Sequence, residues 1–199
     1  MEKASTNWSM PFFYIKSNLM NKSLLFILSL CCVLGACSNQ QDSVSKADLE
    51  NEQRAKAHVL DEESAEFLVK IADGRLMGIK EGEAAESKGT TAEIRSYGKL
   101  MVKDQNRLYT IMKTLAVHKK IQLPIVISDE KKDGLKDLLE KKGTDFDDKF
   151  IKMMRIDHER DIRLFTDALH VKDDEIRAFA VKYLPLIQEH LDKLNALKK

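Results

Sequence analysis

The sequence predicts an all-α fold in which four long helices pair as two hairpins, and three observations predict it. From Asp61 onward apolar residues recur every three or four positions over stretches of twenty residues and more, and no stretch alternates apolar with polar as a strand would. Residues that start and stop helices bracket those stretches. The chain holds three prolines, and of these Pro185 alone falls inside a periodic stretch. Residues 61–199 are enough for a single core.

Before that domain the chain has a different character. All three cysteines fall between Cys31 and Cys37, whereas a disulfide framework would spread them through the fold. Lys22 precedes an uncharged run from Leu24 to Leu34, and the small residues Gly35 and Ala36 come just before Cys37. That is the order of a secretory signal peptide. The run is well short of the roughly twenty residues a spanning helix needs, so it reads as a leader rather than a membrane anchor. Leu34-Gly35-Ala36-Cys37 resembles the lipobox of bacterial lipoproteins, in which the cysteine is lipidated and the chain is cut just before it. Residues 1–36 are then the signal region, two cysteines are discarded and Cys37 carries lipid. An ordinary secretory leader or an N-terminal hairpin is the blander reading. Met20-Asn21-Lys22 makes a natural start for the leader, which leaves residues 1–19 as an over-extended reading frame. Residues 37–60 are polar, cannot offset their ordering entropy by burial, and read as a tether. Its second half, from about Ala47, has good helix formers but no core-facing stripe.

The first long helix is expected from about Glu62 to Ser87, capped by Asp61 and stopped by Gly89. Thr90-Thr91-Ala92-Glu93 has capping-box spacing, with Thr90 and Glu93 satisfying each other's amides, and opens a second helix to about His118. A longer connection leads to a short amphipathic helix near Glu130 to Lys141, closed by Gly143. A third long helix starts at Thr144 or Asp145 and reaches Leu169. Asp173 caps the fourth, which runs to about Leu197 and is kinked by Pro185. Two hairpins joined by a long crossover with a short helix make a four-helix bundle of the ferritin-like kind.

Polar residues on the core-facing stripes carry whatever chemistry the domain has. Ile151, Met154, His158, Ile162, Phe165 and Leu169 follow one another at helical spacing, as do Ile176, Phe179, Tyr183, Ile187, His190 and Leu194, so His158 and His190 point inward. Di-metal sites in bundles need Glu-x-x-His from two helices, and none of the five histidines has a glutamate three residues before it. Leu68, Ile71, Gly78, Gly82 and Ala85 form the expected core face of the first helix, with no carboxylate among them. A turn near residue 171 puts His158 and His190 at an axial offset of roughly 9 Å, which makes a shared ion marginal. Satisfied core histidines are one reading and a divalent metal the other. Met77, Met101, Met112, Met153 and Met154 read as core gap-fillers, and the charges of Asp157 to Asp161 as solvated. The 33 basic and 32 acidic residues are interspersed, which argues against nucleic acid as a partner. There is no glycine-rich phosphate loop or nucleophile elbow. Nothing in the sequence requires an enzyme or a cofactor.

Six stretches carry a family resemblance: "FLVKIADG" with Gly82 and Lys88, "YGKLMVKD" ending at Asp104, Leu123-Pro124, Gly143 with Phe146-Asp147, "DHERDIRLF" and "YLPLIQEHL". With these the chain resembles, from Phe67 to Leu194, the bacterial family known as domain of unknown function 4142, secreted proteins with a ferritin-like four-helix fold. The resemblance implies fold and export and brings no established activity. Where that family usually has Asp-His this chain has Asp104-Gln105, and where it often has Glu this chain has Gly78. Asp104, Gln105, His158 and His190 are therefore the candidate metal or core-polar residues, with two metal-completing groups replaced. The expectation is a lipid-anchored envelope protein that acts as a non-enzymatic binding or stress-related accessory, with a metal-binding ferritin-like domain or oxidase using the core histidines as the alternative. Its partners are a membrane through Cys37 and, on a further reading, another envelope protein. Ser38 after the lipidated cysteine resembles lipoproteins sorted to the outer membrane.

Overall fold

The computed structural model describes residues 42–57 and 60–197; the leader, Cys37 and the start of the tether lie outside the described residues. Six helices and no strand are present among those described: α1 (Ser43–Lys56), α2 (Glu62–Lys88), α3 (Ala92–Lys119), α4 (Asp129–Glu140), α5 (Gly143–Ala168) and α6 (Asp174–Asn195). Local signals fix most of their ends. The Asp61 carboxylate accepts from the Ser64 amide at 3.0 Å, and Asp173 accepts from the Glu175 and Ile176 amides at 3.0 and 3.1 Å. Each satisfies donors that the first helical turn leaves orphaned. At α3 the cap is Thr91, whose hydroxyl accepts from the Ile94 amide at 3.2 Å, and not Thr90. The Thr90 amide and hydroxyl are instead held by Asp147 of α5, a partner 57 residues away that the capping-box spacing does not reveal. Gly143 opens α5 at φ +57° rather than only closing α4. Pro185 lies inside α6, where it withholds one backbone donor.

The helix α2 is the hub, with α1, α3, α4 and α5 all packed against it, while α5 packs on α6. Close approach of α2 and α3 depends on glycine. A Cβ at Gly82 would meet the Gly98 carbonyl oxygen at 2.8 Å, and one at Gly98 would meet the Gly82 oxygen at 2.7 Å, so a side chain at either position would push the backbones apart.

Residues 43–56, part of the segment read as a tether, form α1 and dock on the domain. Sequence periodicity does not show this because the docking is mainly polar. Ala47 and Asn51 are its buried residues, and the Asn51 amide both donates to the Gln122 carbonyl at 2.9 Å and accepts from the Gln122 amide at 2.8 Å. Arg54 donates to the Lys120 carbonyl at 2.6 Å. The crossover is tied down in the same manner, its Ser128 amide and hydroxyl donating to Asp73 of α2 at 2.8 and 3.1 Å.

Two apolar clusters make the core. One gathers Phe67, Leu68, Ile71, Leu108, Met112, Phe165, Ile176 and Phe179, and the other Ala85, Tyr97, Met101, Leu138, Phe146, Phe150, Met154 and Leu194. The residues of α2, α3, α5 and α6 that separate the two in sequence carry the polar groups described next.

Candidate functional site

Between the apolar clusters lies a buried polar layer to which four helices contribute. His158 of α5 and His190 of α6 are each 1% exposed, with ring centroids 5.8 Å apart. The sequence register gave a wider separation because it counts axial rise alone. Side chains lean toward the N-terminus of their own helix, which carries His190 toward the α5–α6 turn and brings it nearer the level of His158. The Tyr97 hydroxyl donates to the His190 carbonyl at 3.1 Å, so its oxygen accepts from His158 Nε2 at 2.9 Å. His190 Nε2 donates to Asp104 at 3.1 Å. Both imidazoles thus hold their proton on Nε2 and leave the Nδ1 lone pair without a protein partner. Burial pushes His158 down to about 3, with Arg75, His190 and Arg160 adding to the effect. Burial also lowers His190, opposed by the Asp104 carboxylate. Both rings are neutral at physiological pH.

Gln105 is buried beside Gly78, where a Cβ would meet the glutamine side chain at 3.3 Å. Positions 78 and 105 therefore converge across the α2–α3 hairpin. The Gln105 amide nitrogen contacts Met101 Sδ at 3.9 Å, and its oxygen is unpartnered.

Three further residues of the layer were not read from the sequence. Glu81 of α2 is fully buried with neither carboxyl oxygen hydrogen-bonded, a carboxyl group on a face where the expectation was that carboxylates are scarce. Burial raises its pKa well above the usual carboxylate range, and the nearby Asp157 carboxylate raises it further. Glu81 is therefore held as the neutral acid. Arg75 of α2 is 1% exposed and forms a buried ion pair with Asp161 of α5; burial pushes it down to about 9, so it stays charged. Asp161 corrects the reading of the Asp157 to Asp161 charges as solvated, and Arg160 spans Asp157 at 2.5 Å and Asp161 at 3.3 Å. A signal for all three was present. Arg75 fills the phase between Ile71 and Gly78 on the inner stripe of α2, Glu81 lies three residues from Gly78 and four from Ala85, and Asp161 lies three residues from His158 and four from Phe165.

Chemically the layer is an ion pair flanked by a neutral acid and two neutral bases, with no serine or cysteine nucleophile among the residues named. Asp104, on the wall of a surface depression shared with Arg107 and Lys182, links it to solvent. Both Nε2 atoms are engaged by Tyr97 and Asp104 while both Nδ1 lone pairs stay free, and among the described residues no three His, Cys, Asp or Glu groups are placed to hold an ion. No helix among the described residues is long and apolar enough to cross a membrane.

Comparisons agree with the architecture. The crystal structure of a DUF305 fragment from Deinococcus radiodurans superposes with a TM-score of 0.61 at 10% identity, covering 68% of this chain and 95% of that one, a likeness of fold alone. No protein of curated function matches. The profile described as domain of unknown function (DUF4142) matches residues 49–197, which takes in α2 to α6 and the whole polar layer, and the chain belongs to that family.

Proposed function

We propose that this chain is an exported lipoprotein of the bacterial envelope whose Cys37 carries the membrane anchor and whose helices form a ferritin-like bundle. The domain acts as a non-enzymatic binding or stress-related accessory. The observation that carries the reading is the order of the N-terminal segment: a basic residue, an apolar run, two small residues and Cys37, followed within six residues by the start of α1 at Ser43. Two hairpins, α2–α3 and α5–α6, joined by a crossover that holds α4 support the bundle topology. The burial of the layer supports a non-enzymatic role, since Arg75, Glu81, His158 and His190 are each no more than 1% exposed and a substrate has no direct access to them. Ser38 after the anchor favours the outer membrane. Mass spectrometry of the mature N-terminus tests the proposal: an acylated Cys37 as first residue is expected, and an unmodified Cys37 or another first residue would sink it.

A further inference from the structure

We propose that the bend at Ile125–Val126, in the crossover between α3 and α4, is a membrane-contacting tip that rests in the lipid surface to which Cys37 is anchored. The domain is thereby held in one orientation instead of swinging on its lipid. This inference rests on the lipid anchoring proposed above and adds a docking face to it.

Two observations lead to the tip. Along the crossover Ile121, Leu123, Pro124 and Ile127 are buried, whereas Ile125 is 77% exposed and Val126 50%. That exposure does not come from slack chain. The Pro124 carbonyl accepts from the Tyr109 hydroxyl at 2.9 Å, and Ser128 is held by Asp73, so the backbone is fixed on both sides of the bend. A lone exposed apolar side chain is ordinary on a protein surface, and Val117, Ile156 and Val181 are of that kind. Two adjacent β-branched side chains displayed on a fixed bend form a small apolar wedge.

The second observation is where the wedge stands. The Ile125 amide donates to the Ser43 hydroxyl at 3.1 Å, and the Asp129 amide donates to Asp42 at 2.9 Å, so the tip adjoins the first residue of α1. From Cys37 to Ser43 the chain can extend no more than about 3.5 Å per residue, a reach of about 20 Å. Had residues 43–56 been a free tether, the anchor would place no surface of the domain. With α1 docked, the short reach places this one beside the lipid. A bilayer interface takes up apolar side chains at the boundary of headgroups and acyl chains, while Asp42 and Asp129 remain in the hydrated headgroup region.

Tryptophan reports the contact directly. The sequence has one, Trp8, which precedes Cys37, so the mature anchored chain has none. Ile125→Trp and, as a control on α5, Ile156→Trp are purified as the mature protein from membranes, checked by mass spectrometry and reconstituted into vesicles of phosphatidylethanolamine and phosphatidylglycerol. Ile125→Trp should shift its emission to the blue and be quenched several-fold more by bromine-labelled lipid than Ile156→Trp. A lipid-bearing protein in which the two are quenched alike overturns this inference and leaves the anchoring intact. A mature chain without lipid on Cys37 overturns both.

Discussion

Replacing His158 with glutamine removes a titration that acts against the folded state in acid. The amide of His158→Gln can still bond the Tyr97 hydroxyl but cannot take up a proton. In the folded protein His158 is held at about 3, against about 6.5 in an unfolded chain. Between those values the unfolded chain binds the extra proton, so stability is flat above about pH 6.5 and falls as the pH drops toward about 3. The separation is worth about 5 kcal/mol in all, of which about 3 kcal/mol is lost by about pH 4.5. Urea unfolding of both proteins, followed by far-ultraviolet circular dichroism near pH 7 and again near pH 4.5, isolates the term, because carboxylate effects are common to both. The natural protein should lose about 3 kcal/mol more than the variant, or about 6–12 °C more in Tm. Equal losses would show that the ring is not held neutral by burial, and the account of the layer would fail.

Three other outcomes follow from the same geometry. Glu81 titrates in the opposite sense: its folded pKa is raised, so its contribution is intact below about pH 4.3 and is lost as the pH rises above that. Glu81→Met should therefore stabilise the domain by about 1–3 kcal/mol near pH 8, and destabilisation in urea titrations would reveal a partner for the carboxyl. Gly82→Ala should cost about 1–3 kcal/mol because its Cβ meets a backbone oxygen, whereas Gly74→Ala, whose Cβ meets the Asp161 carboxylate at an ordinary 3.4 Å, should be neutral or gain up to about 1 kcal/mol; thermal melts distinguish them. Gly78→Glu with Gln105→His places a carboxylate and an imidazole in the layer with His158 and His190 and should create tight zinc or manganese binding, whereas the natural protein should bind such ions weakly or not at all. Calorimetry showing tight binding by the natural protein, or no gain in the double variant, refutes that expectation.

How far the sequence carried the fold depended on the range of the interactions involved. Asp61 and Asp173 were legible as caps because each bonds amides within three residues of itself. Thr90 was not, because Asp147 competes for it from α5. The segment 43–56 read as a tether, with helix formers from about Ala47 but no docking face, since its apolar surface is slight; Asn51 docks it through the backbone of a distant loop, and no periodicity encodes that. Within the site, His158 and His190 stood out as polar residues on an apolar stripe. Glu81, Arg75 and Asp161 did not, because a charge in an amphipathic pattern is read as solvent-facing unless its partner on another helix is known. Asp104 and Gln105 are adjacent in sequence yet differ in role: one links His190 to the surface, the other fills the space left by Gly78.

The ion pair of Arg75 and Asp161 also bears on which arrangements the chain rejects. Apolar clusters above and below it would tolerate one helix sliding past another by a turn, about 5.4 Å, since aliphatic side chains exchange neighbours at little cost. A slide that moves Arg75 one turn toward the C-terminus of α5 would set it against Phe165 and break its buried pair with Asp161, a penalty of about 3–5 kcal/mol. A pair that adds little to the depth of the native well can still raise every misregistered competitor, widening the gap that makes α2 and α5 meet in a single alignment.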